Sequence, residues 1–295
     1  MGHRRYDGVY APSVTFTHHG EIDFRAWGLH LENLIAAGLD GVLIFGSIGE
    51  FFKFSSRERM RAAEWAVDRV AGRAQLMVGI GDTDPRESIA LGRHAMAAGA
   101  DAAVLLSPYY FGPSDARALA WFNAAASEIS GDILLYNFPE RTGSDLGPDL
   151  VARLADDHPN IVGVKDTVDN ISHTRGILDA VRDSRPGFSV FSGFDEYYLP
   201  NRLCGGAGTI SGLANIRPRL FSSMNRAFLE GRNDDCLEAA RSIERLMPLY
   251  AIGDLFVGTI KAGIALTGLD CDPADGEAVP MTEDDALRLQ HVLDR

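Results

Sequence analysis

The chain has 295 residues, of which 46% are apolar and 23% charged, proportions that exclude a disordered protein. Its net charge of −13 disfavours nucleic acid as a partner, because an acidic surface repels phosphate backbones. No apolar run is long enough to predict a membrane span, and the N-terminal residues lack the apolar core of a secretory signal. Three scattered cysteines form no disulfide or metal pattern, so we expect a cytoplasmic protein.

Eight short apolar runs in the first 215 residues are typical of parallel strands buried on both faces. They lie at residues 10–14, 41–45, 76–80, 102–106, 133–136, 161–164, 188–191 and 208–211. Stretches of helical period separate them, several beginning at a capping residue or proline and several ending at glycine. These helices are predicted at residues 23–37, 56–70, 85–98, 114–129, 148–155, 171–181 and 196–203.

Eight strand–helix units of roughly 25 to 35 residues predict an α/β fold, the closed (β/α)8 TIM barrel. The alternative, an open doubly wound sheet, usually has a glycine-rich fingerprint after its first strand, and residues 13–17 contain none. Four more helices are predicted at residues 219–230, 234–250, 255–266 and 282–293, and the first of them closes the barrel. We therefore expect a barrel over residues 1–225 and a C-terminal three-helix extension over residues 226–295, packed on the barrel as a single domain overall.

Catalytic side chains of such barrels lie at the C-terminal ends of the strands. Lys165 follows a buried strand, and burial favours the neutral amine that attacks a carbonyl, so this residue is the candidate for Schiff-base formation. The same position is equally compatible with a structural ion pair to its neighbour Asp166. Of the two other lysines, Lys53 is expected at the surface, and Lys261 is expected to extend its ammonium from a C-terminal helix towards solvent.

Hydroxyl and guanidinium groups at other strand ends are further candidates. Tyr136 and Tyr110 suit proton relay, or alternatively core packing. Ser47, between two glycines, offers a hydroxyl and nearby backbone N–H groups for a carboxylate, although an ordinary turn has the same pattern. Arg141, in the loop after the fifth strand, suits a bidentate carboxylate contact or a position on the surface.

No metal site is predicted. The adjacent residues His18 and His19 lack the spacing of metal ligands, and no clustered carboxylates or cysteine pairs occur. Asp195 and Glu196 are interpreted as the start of a helix rather than as a catalytic carboxylate pair.

Five segments at these strand ends together resemble the dihydrodipicolinate synthase / N-acetylneuraminate lyase family of class I aldolases. They are Gly46-Ser-Ile-Gly-Glu50, Ser107-Pro-Tyr-Tyr110, Tyr136-Asn-Phe-Pro139, Gly163-Val-Lys-Asp166 and Gly205-Gly-Ala-Gly-Thr-Ile-Ser211. The resemblance spans about residues 6–293. It implies a barrel with a helical extension, a homotetramer built as a dimer of dimers, and pyruvate or a related 2-keto acid as the small-molecule partner. It also implies that no cofactor is needed, because the protonated imine is itself the electron sink.

The resemblance assigns a role to each candidate. Lys165 would form the imine, and Tyr136 would be the proton donor and acceptor. Ser47 and Tyr110 would complete a hydroxyl relay, with Tyr110 reaching in from a neighbouring subunit. The backbone amides of Ser47 and Ile48 would hold the carboxylate of the keto acid.

Two positions would shape the pocket beside the imine, namely Gly193 and Ile210. The chain also departs from the family. Ile48 stands where many members carry a second hydroxyl residue, so one hydrogen bond to the carboxylate is lost. Phe51 and Phe52 follow the turn in place of the small polar residues of synthases that lysine inhibits, and we predict no lysine feedback.

The segments 136–139, 142–146 and 163–169 are most similar to the 2-keto-3-deoxygluconate aldolase branch. This similarity predicts cleavage of a 2-keto-3-deoxy sugar acid to pyruvate and an aldehyde. Arg141, however, matches the arginine that dihydrodipicolinate synthases use for the carboxylate of aspartate semialdehyde. A synthase that condenses pyruvate with aspartate semialdehyde is therefore the alternative. Two further hypotheses are a non-catalytic keto-acid-binding regulator, which would bind pyruvate without turnover, and a metal-dependent barrel enzyme, which chelators would inhibit.

Overall fold

The computed structural model describes residues 6–276 and 279–295. The prediction that no secretory signal is present concerns the N-terminus, of which residues 1–5 lie outside the described residues. Eight parallel strands close into a barrel, each paired with its neighbours in chain order and the last paired with the first. The strands are β1 Gly8–Pro12, β2 Gly41–Ile44, β3 Gln75–Gly79, β4 Ala102–Leu106, β5 Asp132–Asn137, β6 Ile161–Asp166, β7 Ser189–Ser192 and β8 Gly208–Ile210. The predicted TIM barrel is confirmed.

The register of β5 and β6 decides what faces the interior of the barrel. Tyr136 is paired with Lys165, and Asn137 with Asp166. Because successive residues of a strand point to opposite faces, the first pair and the second pair lie on opposite sides of the barrel wall.

Helices cover the outside of the barrel, at or close to the predicted positions. They are α1 Phe24–Ala36, α2 Ser56–Val70, α3 Pro85–Ala98, α4 Asp115–Glu128, α5 Pro148–Asp157, α6 Ile171–Val181, α7 Tyr198–Leu203 and α8 Pro218–Leu229. Local capping explains several of their starts. The side chain of Asp23 accepts hydrogen bonds from the first turn of α1, and Ser55 forms a capping box with Glu58 at the start of α2.

The last part of the chain forms the expected three α-helices, which are α9 Asn233–Leu246, α10 Phe256–Leu266 and α11 Glu283–Leu293. Helix α9 packs on α8, and α10 packs on α11. A small hairpin of Thr17–His18 and Glu21–Ile22 and a single-turn helix, Pro139–Thr142, were not predicted, because elements this short carry no periodic pattern. Within the described residues, no helix combines the length and the apolar character that crossing a membrane requires.

The prediction that Lys261 extends towards solvent was wrong. Its side chain on α10 is buried, and its Nζ donates to Oε2 of Glu50 at 2.6 Å. Glu50 ends the glycine turn after β2 and is itself buried, so it supplies the counter-charge that a buried ammonium requires. The ion pair joins the C-terminal extension to a strand end of the barrel. Lys53, which also forms an ion pair with Glu50, is exposed as expected.

Candidate active site

A cavity of about 250 Å³ opens at the C-terminal ends of the strands, where barrel enzymes carry their catalytic groups. Seven of the eight candidate residues line it, and they come from five different strand ends. These residues are Ser47, Ile48, Tyr136, Arg141, Lys165, Gly193 and Ile210. The closed barrel therefore brings together residues that are up to 163 positions apart in the chain.

Lys165 lines this cavity with only 5% of its surface exposed. Its Nζ lies 4.2 Å from the centre of the Tyr136 ring. The alternative of an ion pair with Asp166 is not what the structure contains, because the Asp166 carboxylate accepts from Asn137, His173 and Thr174 on the outer side of the wall. Among the described residues, no carboxylate forms an ion pair with Lys165. The amine is therefore buried, is not held by a carboxylate and lies beside the Tyr136 ring, where it can meet the carbonyl group of a bound molecule.

A pair of hydroxyls lies beside this amine. The Tyr136 hydroxyl is 3.2 Å from Oγ of Ser47, and either oxygen can be the donor. Tyr136 is 4% exposed, and its ring stacks on Phe138 with centres 6.0 Å apart. The ring is thus held in place, while its hydroxyl stays within proton-transfer distance of a second hydroxyl.

The glycine turn after β2 presents backbone donors to the cavity. Within the described chain, the amide N–H groups of Ser47 and Ile48 have no hydrogen-bond acceptor. The Thr15 hydroxyl donates to the carbonyl of Gly49 at 2.9 Å, and Glu50 has a φ of 52°, in the left-handed region. A turn that lines a cavity and has free amides is a ready binding site for a carboxylate.

Gly193 and Ile210 form the wall beside the amine. A Cβ at position 193 would lie 2.0 Å from Oγ1 of Thr167, so this position has no space for a larger residue. Arg141 lies at the rim, with its guanidinium 5.8 Å from the centre of the Phe138 ring. Arg141 is exposed and also lines the cavity. Its position therefore agrees in part with both predictions for it, a carboxylate contact and a place on the surface.

Tyr110 is the one candidate that lies outside the cavity of its own chain. It follows β4, has a φ of 87°, and is 84% exposed. Its ring is in edge contact with Phe111, which is also exposed. A role for Tyr110 from a neighbouring subunit stays a prediction.

A buried network that sequence analysis missed also borders the cavity. The Asp195 carboxylate accepts from the Tyr250 hydroxyl at 2.6 Å, from the Leu213 backbone N–H at 2.9 Å, and from the Ser211 hydroxyl. Burial raises the pKa of Asp195 above its usual range and that of Tyr250 well above its own. Asp195 does begin a short helix as predicted, but no local pattern marks Tyr250, which comes from the C-terminal extension.

The cavity therefore offers a buried amine, two hydroxyls, two free amide donors and a guanidinium at the rim. This set suits the chemistry of a keto acid, with the amine for the carbonyl carbon and the amides for the carboxylate. Over residues 6–276 and 279–295, no group of three or more His, Cys, Asp or Glu side chains is arranged to hold a metal ion.

The fold and this cavity are those of a class I lyase built on a (β/α)8 barrel. The model of the dihydrodipicolinate synthetase family matches residues 7–295, and the chain belongs to this family. The expected family and the expected class of enzyme, a class I carbon–carbon lyase, are confirmed.

Relatives from Escherichia coli K12 share about a third of the sequence. The putative 2-dehydro-3-deoxy-D-gluconate aldolase YagE is 36% identical over 89% of this chain and 87% of its own. The probable 2-dehydro-3-deoxy-D-pentonate aldolase YjhH is 35% identical over 98% of this chain and 97% of its own. The crystal structure of YagE in complex with pyruvate superposes with a TM-score of 0.95, at 34% identity and with 98% of both chains covered.

Synthases of the family are also similar. The dihydrodipicolinate synthase of Aquifex aeolicus has a TM-score of 0.91 at 29% identity, covering 98% of this chain and 97% of its own. A 4-hydroxy-tetrahydrodipicolinate synthase from Methanosphaerula palustris is 35% identical over 95% of both chains. The barrel is thus common to aldolases and synthases, and the choice between them depends on the site.

Proposed function

We propose that this chain cleaves a 2-keto-3-deoxy sugar acid to pyruvate and an aldehyde through an imine at Lys165. The observation that carries the proposal is the buried Lys165 amine, 4.2 Å from the Tyr136 ring, with the Ser47 hydroxyl beside it. YagE and YjhH, whose names describe sugar-acid aldolases, support the choice of substrate class.

The reaction begins at the carbonyl carbon of the keto acid. The neutral Lys165 amine adds to it, and loss of water gives a protonated imine. The backbone amides of Ser47 and Ile48 hold the carboxylate, and Gly193 and Ile210 leave space for the flat imine. Each of these groups lines the same cavity, which supports the assignment.

The Tyr136 oxygen then takes the proton of the C4 hydroxyl, the C3–C4 bond breaks, and its electron pair moves into the imine to give an enamine. The aldehyde leaves, Tyr136 returns a proton to C3, and water releases pyruvate from the lysine. Ser47 passes the proton on, and we propose that Tyr110 of a neighbouring subunit extends this relay. The 3.2 Å contact between Ser47 and Tyr136 supports the first transfer.

The second candidate is the synthase, which condenses pyruvate with aspartate semialdehyde. It is favoured by Arg141, because this guanidinium lines the rim of the cavity and could bind the carboxylate of the second substrate. The same guanidinium could instead bind hydroxyl groups of a sugar acid. We favour the aldolase because the structure of YagE superposes with a TM-score of 0.95, against 0.91 for the Aquifex aeolicus synthase, and because the segments 136–139, 142–146 and 163–169 are most similar to the aldolase branch.

We also propose that the protein acts in the cytoplasm as a homotetramer, a dimer of dimers. The exposed rings of Tyr110 and Phe111 support an interface there, and three free cysteines suit a reducing compartment. Residues 226–295 would form one domain with the barrel of residues 1–225, which the buried ion pair between Lys261 and Glu50 supports.

The experiment is reductive trapping followed by an activity panel. Borohydride with pyruvate should attach one adduct to Lys165, and Lys165→Met should carry none. An adduct on Lys53 or Lys261 instead would refute the assignment. The panel measures pyruvate release from 2-keto-3-deoxygluconate, 2-keto-3-deoxygalactonate and 2-keto-3-deoxypentonate, beside the condensation with aspartate semialdehyde. Higher kcat/KM for the condensation would replace the aldolase with the synthase, and trapping without any turnover would indicate a regulator.

A further inference from the structure

A polar cluster lies behind Lys165, on the outer side of the barrel wall. Asn137 and Asp166 directly follow Tyr136 and Lys165 in the chain and are paired with each other across β5 and β6. The Asn137 amide Nδ2 donates to Oδ1 of Asp166 at 3.1 Å. The side chains of Asn137 and Asp166 are therefore joined directly behind the proposed catalytic pair, which fixes the two strands relative to each other.

The same amide holds the loop at the rim of the cavity. Asn137 Nδ2 also donates to Oδ1 of Asp145 at 2.8 Å, and its Oδ1 accepts the backbone N–H of Leu146 at 3.0 Å. This loop directly follows the single-turn helix that carries Arg141. The Thr142 hydroxyl can donate its hydrogen to the carbonyl of Ser144 at 2.9 Å or to that of Phe138 at 3.1 Å, so its contacts are within the same segment. The segment of Asp145 therefore connects the helix of Arg141 to the cluster behind the barrel wall.

His173, on α6, lies between the two carboxylates of this cluster. Its Nδ1 is 3.0 Å from Oδ2 of Asp166, and its Nε2 is 3.2 Å from Oδ2 of Asp145. The contact with Asp145, and then that with Asp166, raises the pKa of His173 to about 10, so the imidazole is a cation at neutral pH. Without this cation, the two carboxylates would share the Asn137 amide with no positive charge between them to offset their mutual repulsion.

We propose that His173 is a positioning residue that connects the Arg141 loop to the strand of Lys165. This inference rests on the proposed aldolase function. By holding the loop in place, His173 sets the affinity for the part of the sugar acid that is distant from Lys165. His173 does not line the cavity, so it acts through Asp145 and Asp166. In the proposed mechanism, pyruvate has only three carbons and would lie between Lys165 and the amides of Ser47 and Ile48, away from the rim at Arg141. Imine formation with pyruvate should therefore be independent of His173, whereas binding of the full sugar acid should depend on it.

The first test compares His173→Asn with wild type, using the panel acid that wild type cleaves fastest. We expect kcat/KM for that acid to fall about 10- to 100-fold, mainly through KM, because a small displacement of a substrate-positioning group has effects of this size. Borohydride trapping with pyruvate should stay at the wild-type level. His94→Asn is the matched control, since His94 also contacts a carboxylate, Glu64, at 3.1 Å, and should leave the kinetics unchanged.

The second test is rescue. The double variant His173→Asn/Asp145→Asn removes the repulsion between the carboxylates, so it should regain most of the lost kcat/KM. If His173 only supported the fold, trapping with pyruvate would fall in His173→Asn together with turnover, and the second substitution would restore both. Should His173→Asn not fold, Asp145→Ala alters a half-exposed partner and should raise KM in the same way.

The outcomes separate this inference from the function on which it rests. Unchanged KM in His173→Asn or in Asp145→Ala, or equal losses of trapping and turnover, would overturn the positioning role while the aldolase stands. A wild-type protein that is not trapped with pyruvate, or that cleaves no acid of the panel, would overturn the proposed function itself.

Discussion

Replacing Lys261 with methionine tests the buried ion pair that joins the extension to the barrel. Both partners, Lys261 and Glu50, are 1% exposed, and their charged atoms are 2.6 Å apart. Removing one partner of such a pair costs about 3–5 kcal/mol, because the other charge stays buried. Lys53 also forms an ion pair with Glu50, through a side chain that is 32% exposed, so we expect the lower end, about 3 kcal/mol.

This loss of stability corresponds to a fall in Tm of roughly 6–12 °C, at about 2–4 °C per kcal/mol for domains a little smaller than this one. Differential scanning calorimetry of Lys261→Met and wild type at the same concentration measures it. Lys53→Met is the matched control, and it should cost less than about 1 kcal/mol, because Glu50 keeps its buried partner and the lost charge is partly solvated.

The double variant Lys261→Met/Glu50→Gln should recover most of the lost stability, since no unpaired charge then stays buried. A Lys261→Met protein that melts at the wild-type temperature would refute the reasoning. Equal losses for Lys261→Met and Lys53→Met would also refute it, because burial would then make no difference to the ion pair.

Three further predictions concern the site and the polar cluster behind it. Tyr136→Phe should keep the pyruvate adduct but lower kcat about 100-fold or more, a typical loss for general acid–base chemistry, and unchanged turnover would mean that another group moves the proton. Arg141→Ala should raise KM for aspartate semialdehyde sharply in a synthase, and should change the kinetics of an aldolase less, which steady-state assays of both reactions can distinguish. The stability advantage of wild type over His173→Asn should be full below about pH 6.5, decline above it, and be lost as pH rises through about 10, because the pKa is raised in the folded state. Thermal melts at pH 6, 8 and 10 would show this, and a constant difference would contradict it.

The barrel itself could be predicted because its signals are local. The strand at residues 102–106 and the helices at residues 56–70, 85–98 and 171–181 have the predicted bounds. Each strand is a short apolar run, and each of these helices has a capping residue or proline at its start. The single-turn helix Pro139–Thr142 was missed because four residues show no period, although it carries Arg141 to the rim of the cavity.

The site residues that lie at the ends of strands could be predicted from the sequence. Lys165 and Tyr136 could be selected because each ends an apolar run and carries a reactive group. Asp195 begins a helix, as predicted. Its hydrogen bond with Tyr250 could not be predicted, because Tyr250 comes from the extension. Lys261 was misjudged, because the sequence gives no indication that Glu50 lies beside it, 211 positions away.

The sequence by itself determined the order of strands and helices, the lysine at the end of the sixth strand and the family resemblance, because all of these depend on local periodicity and short motifs. Only the tertiary structure decided which charges are buried together. Asp145, Asp166 and His173 meet outside the barrel wall, and Glu50 meets Lys261 across the boundary with the extension. The physical reason is that a charge pair gains its energy from distance and burial, and both are set when the barrel closes and the extension packs on it.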